Sequence, residues 1–335
     1  MSPSLGPGSC SADPSGTAPL VSLVVINYNG LPYLEQCLKG VLAQSYPNVQ
    51  LIVIDNASTD GSADMIADDF PNILLVRNRA NFGFCRAFNQ GVALSDGDFV
   101  LPLNPDVVMT RDFVTHLVVA AGQEERIGAV SGKLLRDEDG TIDSTGIVLT
   151  RSRRPRDRGQ GEKDRGQYDK STAIFAACGA APLYTRHMLE DIAVGGQYMD
   201  ESFFAFYDDV DLGWRARLLG WRSVYAPQAV AYHPRSGIDR LTHKPGNRLQ
   251  LQIQIHALKN RYLMIVKNDS LVDFLRDLPF IVLGDVLRIA YIALFRPQLL
   301  AAWWLFWSLL PHALEQRREI AAKKRTAQLQ LLARS

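Results

Sequence analysis

Leu20–Asn29, LVSLVVINYN, sets the reading of the fold. An apolar, β-branched run with no polar alternation reads as a strand buried on both faces. It stops abruptly at Asn27-Tyr28-Asn29. The pattern then repeats. LPYLEQCLKGVLAQSY (31–46) places Leu34, Leu38, Val41 and Leu42 at helical spacing, and VQLIVIDNAS (49–58) is a second buried strand. STDGSADMIADDF (58–70) opens a helix with Ser58 or Asp60 as candidate N-cap. NILLVRN (72–78) is a third strand, NFGFCRAFNQGVALS (81–95) a third helix and DFVLPLNPDV (98–107) a fourth strand. Regular alternation of strand and helix predicts an α/β fold with a mainly parallel, Rossmann-like mixed sheet flanked by helices. Ligands of such sheets sit beyond the carboxyl ends of the strands. INYN, IDNASTD, RNRANFGF and LNPD all fall there.

Past residue 129 the rhythm changes. AVSGKLLRDEDGTIDSTGIVLT (129–150) reads as strands with turns. RSRRPRDRGQGEKDRGQYDK (151–170) is nearly free of apolar residues and is expected to be a mobile loop. A strand and a helix follow over 171–192, then a helix ended by Gly220 and a strand over 222–233. The last third is helical: NRLQLQIQIHALKNRYLMIVKN (247–268), then two segments with wide apolar faces and basic flanks. The uncharged run 297–314, with Trp303, Trp304 and Trp307, suits an interfacial helix on a membrane surface, with a cationic tail for anionic lipid. The same helices could instead pack on the core or form a homo-oligomer.

The chain has 335 residues and is 47% hydrophobic, enough for one or two domains. A net charge of +1 gives no footprint for nucleic acid. Four scattered cysteines without CxxC point to a reduced compartment and no structural zinc. Residues 1–19, rich in Ser, Pro and Gly, lack an apolar core segment and read as a disordered leader rather than a signal peptide. There is no P-loop and no GxGxxG, which disfavours NTPase and dinucleotide readings.

Several residues have the chemistry of a binding site. Asp55 can turn the chain into the next helix or accept an N–H from a ligand. Asn104 and Asp106 are hard oxygen donors suited to Mg2+ or Mn2+, or simply a turn. Gly83 allows close backbone approach, and Asn89, unfavourable inside a helix, has hydrogen-bonding capacity to offer. In DDVDL (208–212) three aspartates follow a run of aromatics; they could bind metal, act as a base or cap a helix.

Taken together, VSLVVINYNG, LIVIDNASTDGS, RNRANFGFCRAFNQG, LPLNPDV, ACGAAPLYTRHML and MDESFFAFYDDVDLGWRARLLGW, then AYH, resemble the family 2 glycosyltransferases with a GT-A fold, in their bacterial rhamnosyltransferase branch. The likeness covers about 20–240, and more loosely the helical tail over 241–335. It implies an inverting, metal-assisted transfer from a nucleotide-diphosphate sugar, dTDP-L-rhamnose first among candidates, to a polyprenyl-linked glycan; the alternatives are another UDP- or dTDP-sugar (galactofuranose, glucose, N-acetylglucosamine) or a non-catalytic membrane scaffold. It implies a peripheral enzyme at the cytoplasmic face of the bacterial inner membrane. In that frame Asn27, Tyr28, Asn29, Asp55, Asn56, Asn81, Gly83, Phe84, Asn89, Asn104 and Asp106 line the nucleotide-sugar site. Asp106 stands where the family's DxD motif ends, although here Asn104 replaces the first carboxylate, and His233 joins it on the metal. Asp209 is the expected base and Asp208 its support, against an apolar wall of Phe203, Phe204 and Phe206. Asp211 is expected to cap the helix at Leu212. Gly179 is expected where acceptor or donor sugar approaches the backbone. Arg215 and Arg217 are expected at the acceptor or phosphate, or else paired with these acids, with a solvated helix face the alternative for at least one of them.

Overall fold

The computed structural model describes residues 18–136, 139–235 and 248–334. All but the last two residues of the expected leader lie outside these. Ala18 and Pro19 are tied down by Asn48 and Tyr46.

The expected alternation is present. β1 (Val21–Asn27), α1 (Leu31–Leu42), β2 (Val49–Asp55), α2 (Ser62–Asp69), β3 (Leu74–Arg77), α3 (Phe84–Ala93) and β4 (Phe99–Leu103) run in order. β1 is buried along its whole length because helices cover both faces. Its side chains alternate between two cores. Leu23 and Val25 pack with Leu34 and Leu38 of α1, while Val24 and Ile26 pack with Phe88 and Val92 of α3.

The second half adds β5 (Val108–Met109), α4 (Phe113–Ala121), β6 (Ile127–Leu135), β7 (Ile142–Ser144), β8 (Ile147–Leu149), β9 (Pro155–Asp157), β10 (Ala173–Ile174), β11 (Pro182–Thr185), α5 (Arg186–Ile192), α6 (Asp208–Leu218) and β12 (Arg222–Tyr232). The main sheet has the order β10-β12-β6-β11-β4-β1-β2-β3. β1, β2, β3 and β4 are parallel neighbours. β11 is antiparallel to both β4 and β6, and β12 is parallel to β6. The carboxyl ends of β1, β2, β4, β6 and β12 therefore share one edge, which brings Asn27, Asp55, Asn104 and His233 to the same side.

The C-terminal helices are α7 (Arg248–Asn268), α8 (Leu271–Phe295) and α9 (Ala301–Arg334). Leu263, Met264 and Ile265 of α7 and Phe306 of α9 join the core on the α3 side of the sheet. Among the described residues α8 is the one helix long and apolar enough to cross a membrane. It exposes Leu275, Val282, Leu283, Val286, Leu287, Leu294 and Phe295. The largest exposed apolar face thus lies on α8, not on the expected run 297–314. Within that run Phe306 is buried and Trp303 packs on Tyr262, leaving Trp304 and Trp307 exposed.

The charged segment 151–170 is not a loose loop. Arg153 is buried and pairs with Asp269 (2.7 Å) and Asp277 (2.8 Å). Arg151 also reaches Asp277 (2.8 Å), and Arg154 donates to the Gly284 carbonyl (2.8 Å). Arg261 of α7 closes the set on Asp285 (2.9 Å) and the Ser152 carbonyl (2.6 Å). The charges that suggested solvent face carboxylates more than a hundred residues away.

Candidate active site

Asn27 and Asp55 are paired in register at the ends of β1 and β2. The Asn27 amide donates to Asp55 (2.8 Å) and Ser62 (2.8 Å). Asp55 also accepts from the Ser58 backbone (3.0 Å) and hydroxyl (2.5 Å). This buried carboxylate holds the turn that leads to α2. Neither Ser58 nor Asp60 occupies the N-cap, which is Gly61. Asn29, at φ 54°, accepts from Thr59 N–H (2.8 Å), while Tyr28 is exposed. Asn56 donates to the Gly83 carbonyl (3.1 Å), and Asn81 accepts from Gly83 N–H (2.9 Å). These residues form one connected polar rim. Asn89 is not part of it. Its amide exchanges hydrogen bonds with the Met199 backbone (2.8 and 3.0 Å), so it braces α3 against the segment before the acid pair.

Beside this rim lies a cavity of about 350 Å³ whose lining includes Phe84, Asn104, Gly179, Asp208, Asp209, His233 and Arg235. His233 Nε2 stands 3.4 Å from Asp106, and its Nδ1 is 2.8 Å from the fully buried Asp143. Burial disfavours the imidazolium, but Asp106 and Asp143 outweigh it and raise the His233 pKa to about 9. A carboxylate behind an imidazole is the arrangement that orients metal-binding histidines. Asp106 and His233 thus fit a hard divalent cation whose other ligands come from substrate oxygens. Among the described residues no third His, Cys, Asp or Glu completes a protein cage. Arg235 joins the same group through Asp143 (2.6 Å) and Asp157 (2.6 Å).

The acid pair opens α6. Its N-cap position is Tyr207, in left-handed conformation at φ 66°. Asp209 accepts from Gly179 N–H (3.0 Å) and from its neighbour Val210 N–H (2.8 Å). A Cβ on Gly179 would stand 3.1 Å from the Asp209 carboxylate, so a side chain there would crowd the contact. Both acids have raised pKa values. Burial is the main cause for each; repulsion from Asp208 and then Asp157 adds to it for Asp209, and repulsion from Asp211 for Asp208. The aromatic lining differs from the expected wall. Phe84, Phe206 and Tyr207 face the cavity, whereas Phe203 is core and Phe204 packs on Gly83 and His256.

Three expected roles do not fit this geometry. Asp211 lies inside the first turn of α6, fully buried, and binds Arg215 (3.0 Å), Lys267 (3.1 Å) and Asn268 (2.8 Å) rather than capping. Arg215 is buried as well, with Nη1 and Nη2 bound to the carbonyls of Ile192 (2.6 Å) and Tyr198 (2.7 Å), and it is not part of the cavity lining where a phosphate would sit. Arg217 is exposed and lies over Phe175, away from the cavity lining. The cavity's own guanidinium groups are those of Arg156 and Arg235. Neither they nor Asp143 and Asp157 carry a local sequence signal.

The sequence places the chain in a family, and the architecture places it in a fold. The family model described as Glycosyl transferase family 2 matches residues 22–192. An N-acetylglucosaminyl-diphospho-decaprenol L-rhamnosyltransferase of Mycobacterium tuberculosis is 28% identical over 249 residues, covering 67% of this chain and 80% of that protein. A poly-beta-1,6-N-acetyl-D-glucosamine synthase of Staphylococcus aureus is 24% identical over 224 residues, 63% of this chain and 49% of that one. Among solved structures, a mannosyltransferase from Pyrobaculum calidifontis in complex with GDP-Man and Mn2+ aligns with TM-score 0.54 at 19% identity, over 94% of this chain and 88% of its own. GalNAc-T7 with UDP, GalNAc and Mn2+ aligns with TM-score 0.56 at 13% identity, over 74% and 48% of the two chains. With the family model spanning half the chain and the expected sheet in place, the chain belongs to glycosyl transferase family 2 and has the GT-A fold.

Proposed function

We propose that the protein is an inverting, divalent-metal-assisted transferase that moves L-rhamnose from dTDP-L-rhamnose onto a polyprenyl-diphosphate-linked glycan. The observation that carries the catalytic part is that one cavity is lined both by His233, which is tied to Asp106, and by the raised-pKa Asp209. Asp209 takes the proton of the acceptor hydroxyl as that oxygen attacks the anomeric carbon, and the nucleoside diphosphate leaves. Asp208 keeps its neighbour's proton affinity high. Asp106 and His233 would hold Mg2+ or Mn2+, which when bound neutralises charge on the diphosphate. Asn27 to Asn29, Asp55, Asn56 and the Asn81–Phe84 loop form the nucleotide side, and Gly179 the side where sugar meets backbone. The rhamnosyl donor and the lipid-linked acceptor rest on the mycobacterial relative's name. A membrane-surface location rests on the exposed apolar face of α8, and its assignment to the cytoplasmic face of the inner membrane rests on the family resemblance.

The test is a panel of dTDP-L-rhamnose, UDP-galactofuranose, UDP-glucose and UDP-N-acetylglucosamine with a prenyl-diphosphate N-acetylglucosamine in vesicles. Release of nucleoside diphosphate and the mass of the product are scored. The expected result is turnover with dTDP-L-rhamnose at least about tenfold above the others, abolished by EDTA and restored by Mn2+. Preference for a UDP-sugar would replace the donor. Turnover indifferent to EDTA would remove the metal, and no turnover with any sugar would leave a binding protein on a transferase fold.

A further inference from the structure

The backbone leading into the acid pair is unusual. Phe204 (φ 67°, ψ −63°) forms a γ-turn, closed by Ala205 N–H on the Phe203 carbonyl (2.8 Å), and Phe206 (φ 69°) and Tyr207 (φ 66°) also have positive φ. Bulky L residues keep such conformations only when their surroundings enforce them. The enforcement comes from far along the chain. Asn260 of α7 is completely buried, and its side-chain amide donates to the carbonyls of Phe203 (2.9 Å), Ala205 (2.9 Å) and Phe206 (2.8 Å). Its own oxygen accepts from Lys259 Nζ (2.7 Å), which also donates to the Ser202 carbonyl (2.5 Å). Lys259 thereby fixes which way the Asn260 amide faces. From the opposite side Cys85 N–H donates to the Phe204 carbonyl (3.2 Å). Ala205, Phe206 and Tyr207 line the cavity directly before Asp208 and Asp209.

We propose that Asn260 is a positioning residue for the acid pair: its amide grips three carbonyls of this turn and so fixes where the Asp209 carboxylate stands. This rests on the reading of Asp209 as the base. No aliphatic side chain can replace the contact, since the Ala205 and Phe206 carbonyls would lose this donor and the Phe203 carbonyl would keep only the Ala205 N–H. A base displaced by about an ångström loses on the order of 10²-fold in rate.

The experiment uses the full chain with Asn260→Ala, Asn260→Asp, Asp209→Asn and the double variant Asp209→Asn/Asn260→Ala. Asn260→Asp keeps the volume and the Lys259 contact but removes both donor hydrogens. Readouts are kcat, acceptor KM and dTDP affinity by calorimetry, with dTDP-L-rhamnose or whichever panel sugar turns over. The expected result is a fall in kcat of about 10²-fold in both single Asn260 variants, with dTDP affinity within about twofold of wild type. The double variant should be no slower than Asp209→Asn alone, because both changes act on one proton transfer. A kcat within about threefold of wild type in both Asn260 variants overturns the proposal. So does a parallel loss of kcat, dTDP affinity and thermal stability, or failure of both variants to fold, since each assigns the amide to folding alone. If Asp209→Asn keeps its rate, the base reading falls and takes this one with it. If Asp209→Asn is inactive while the Asn260 variants are not impaired, only the positioning role falls.

Discussion

Asp209→Asn changes little in volume and removes the proton acceptor, but it is not silent in the backbone. Both carboxylate oxygens now accept N–H groups, from Gly179 at 3.0 Å and Val210 at 2.8 Å. An amide can satisfy only one of them; the other N–H meets an NH2 group, at a cost of about 1–3 kcal/mol. The rate effect should be larger. Loss of a positioned general base removes about 10²–10⁴-fold, equivalent to about 3–5 kcal/mol in the barrier. The assay is initial-rate release of nucleoside diphosphate between about pH 5 and 9, with product mass as control. In the wild type, burial and the charges of Asp208 and Asp157 raise the Asp209 pKa above the ordinary 3.8. The acid limb of kcat/KM should therefore lie well above that value, because only the deprotonated form accepts a proton. Asp208→Asn removes one like charge and should move the limb to lower pH. Stability follows the opposite sense. The folded pKa values of the pair exceed the unfolded ones, so they cost stability as pH rises from about 4 through their folded range, and Asp208→Asn should flatten that slope. An Asp209→Asn enzyme keeping a tenth or more of the wild-type rate, or a wild-type limb near pH 4, would refute the assignment.

Gly83→Ala puts a Cβ 2.6 Å from the Phe204 ring and carbonyl at φ +84°. It should destabilise the fold by about 1–3 kcal/mol and weaken dTDP binding; unchanged affinity in calorimetry would mean the Asn81–Phe84 loop does not close over the nucleotide. Lys267→Met strips the partner from Asp200 (2.7 Å) and Asp211 (3.1 Å), both buried. Urea unfolding at pH 7 should register a loss of about 3–5 kcal/mol, and a loss under about 1 kcal/mol would show the cluster to be expendable. In the wild type, burial opposes ionisation of Asp200, but Lys267 outweighs it and holds that carboxylate well below its ordinary range. This contribution is present above the unfolded pKa and is lost as pH falls through the folded one, so the acid-side slope should shrink in Lys267→Met. Leu283→Glu with Leu287→Glu, both on the exposed face of α8, should release the protein from anionic vesicles in a sedimentation assay. Unaltered binding would move membrane contact elsewhere, and a change in oligomeric state instead would identify the face as a contact between copies.

The first half of the fold was legible because its information is local. Buried runs end in polar clusters, and the strand ends meet wherever the strands are parallel. Asp208 and Asp209 were singled out through the family resemblance, since DDVDL alone reads equally as a metal site, a base or a cap, and the structure puts both on the cavity wall. What was hidden depends on partners distant in sequence. Asp143 sits in a short strand with nothing nearby to mark it, yet it is the carboxylate behind His233. Asp211 had the spacing of a cap, but the helix starts four residues earlier, with a left-handed Tyr207 at the N-cap position. Arg215 looked like a phosphate ligand only because its buried partners lie on other elements. Asn89 looked like an unfavourable residue inside a helix and Asn260 carried no signal at all, yet both have partners in the segment 199–206.

Arg151, Arg153 and Arg154 make the two halves of the chain interdependent. One side of their hairpin is bolted to Asp269, Asp277 and the Gly284 carbonyl. The next residues, Pro155, Arg156 and Asp157, are cavity wall. A chain cut at residue 240 would not be a trimmed enzyme. It would leave the Arg153 guanidinium without its carboxylates, Asp200 and Asp211 without Lys267, and the Phe203–Tyr207 turn without Asn260. The hairpin joins α8 to the cavity wall within a few residues. The helices that look like an appendage in the sequence brace the segments that form that wall.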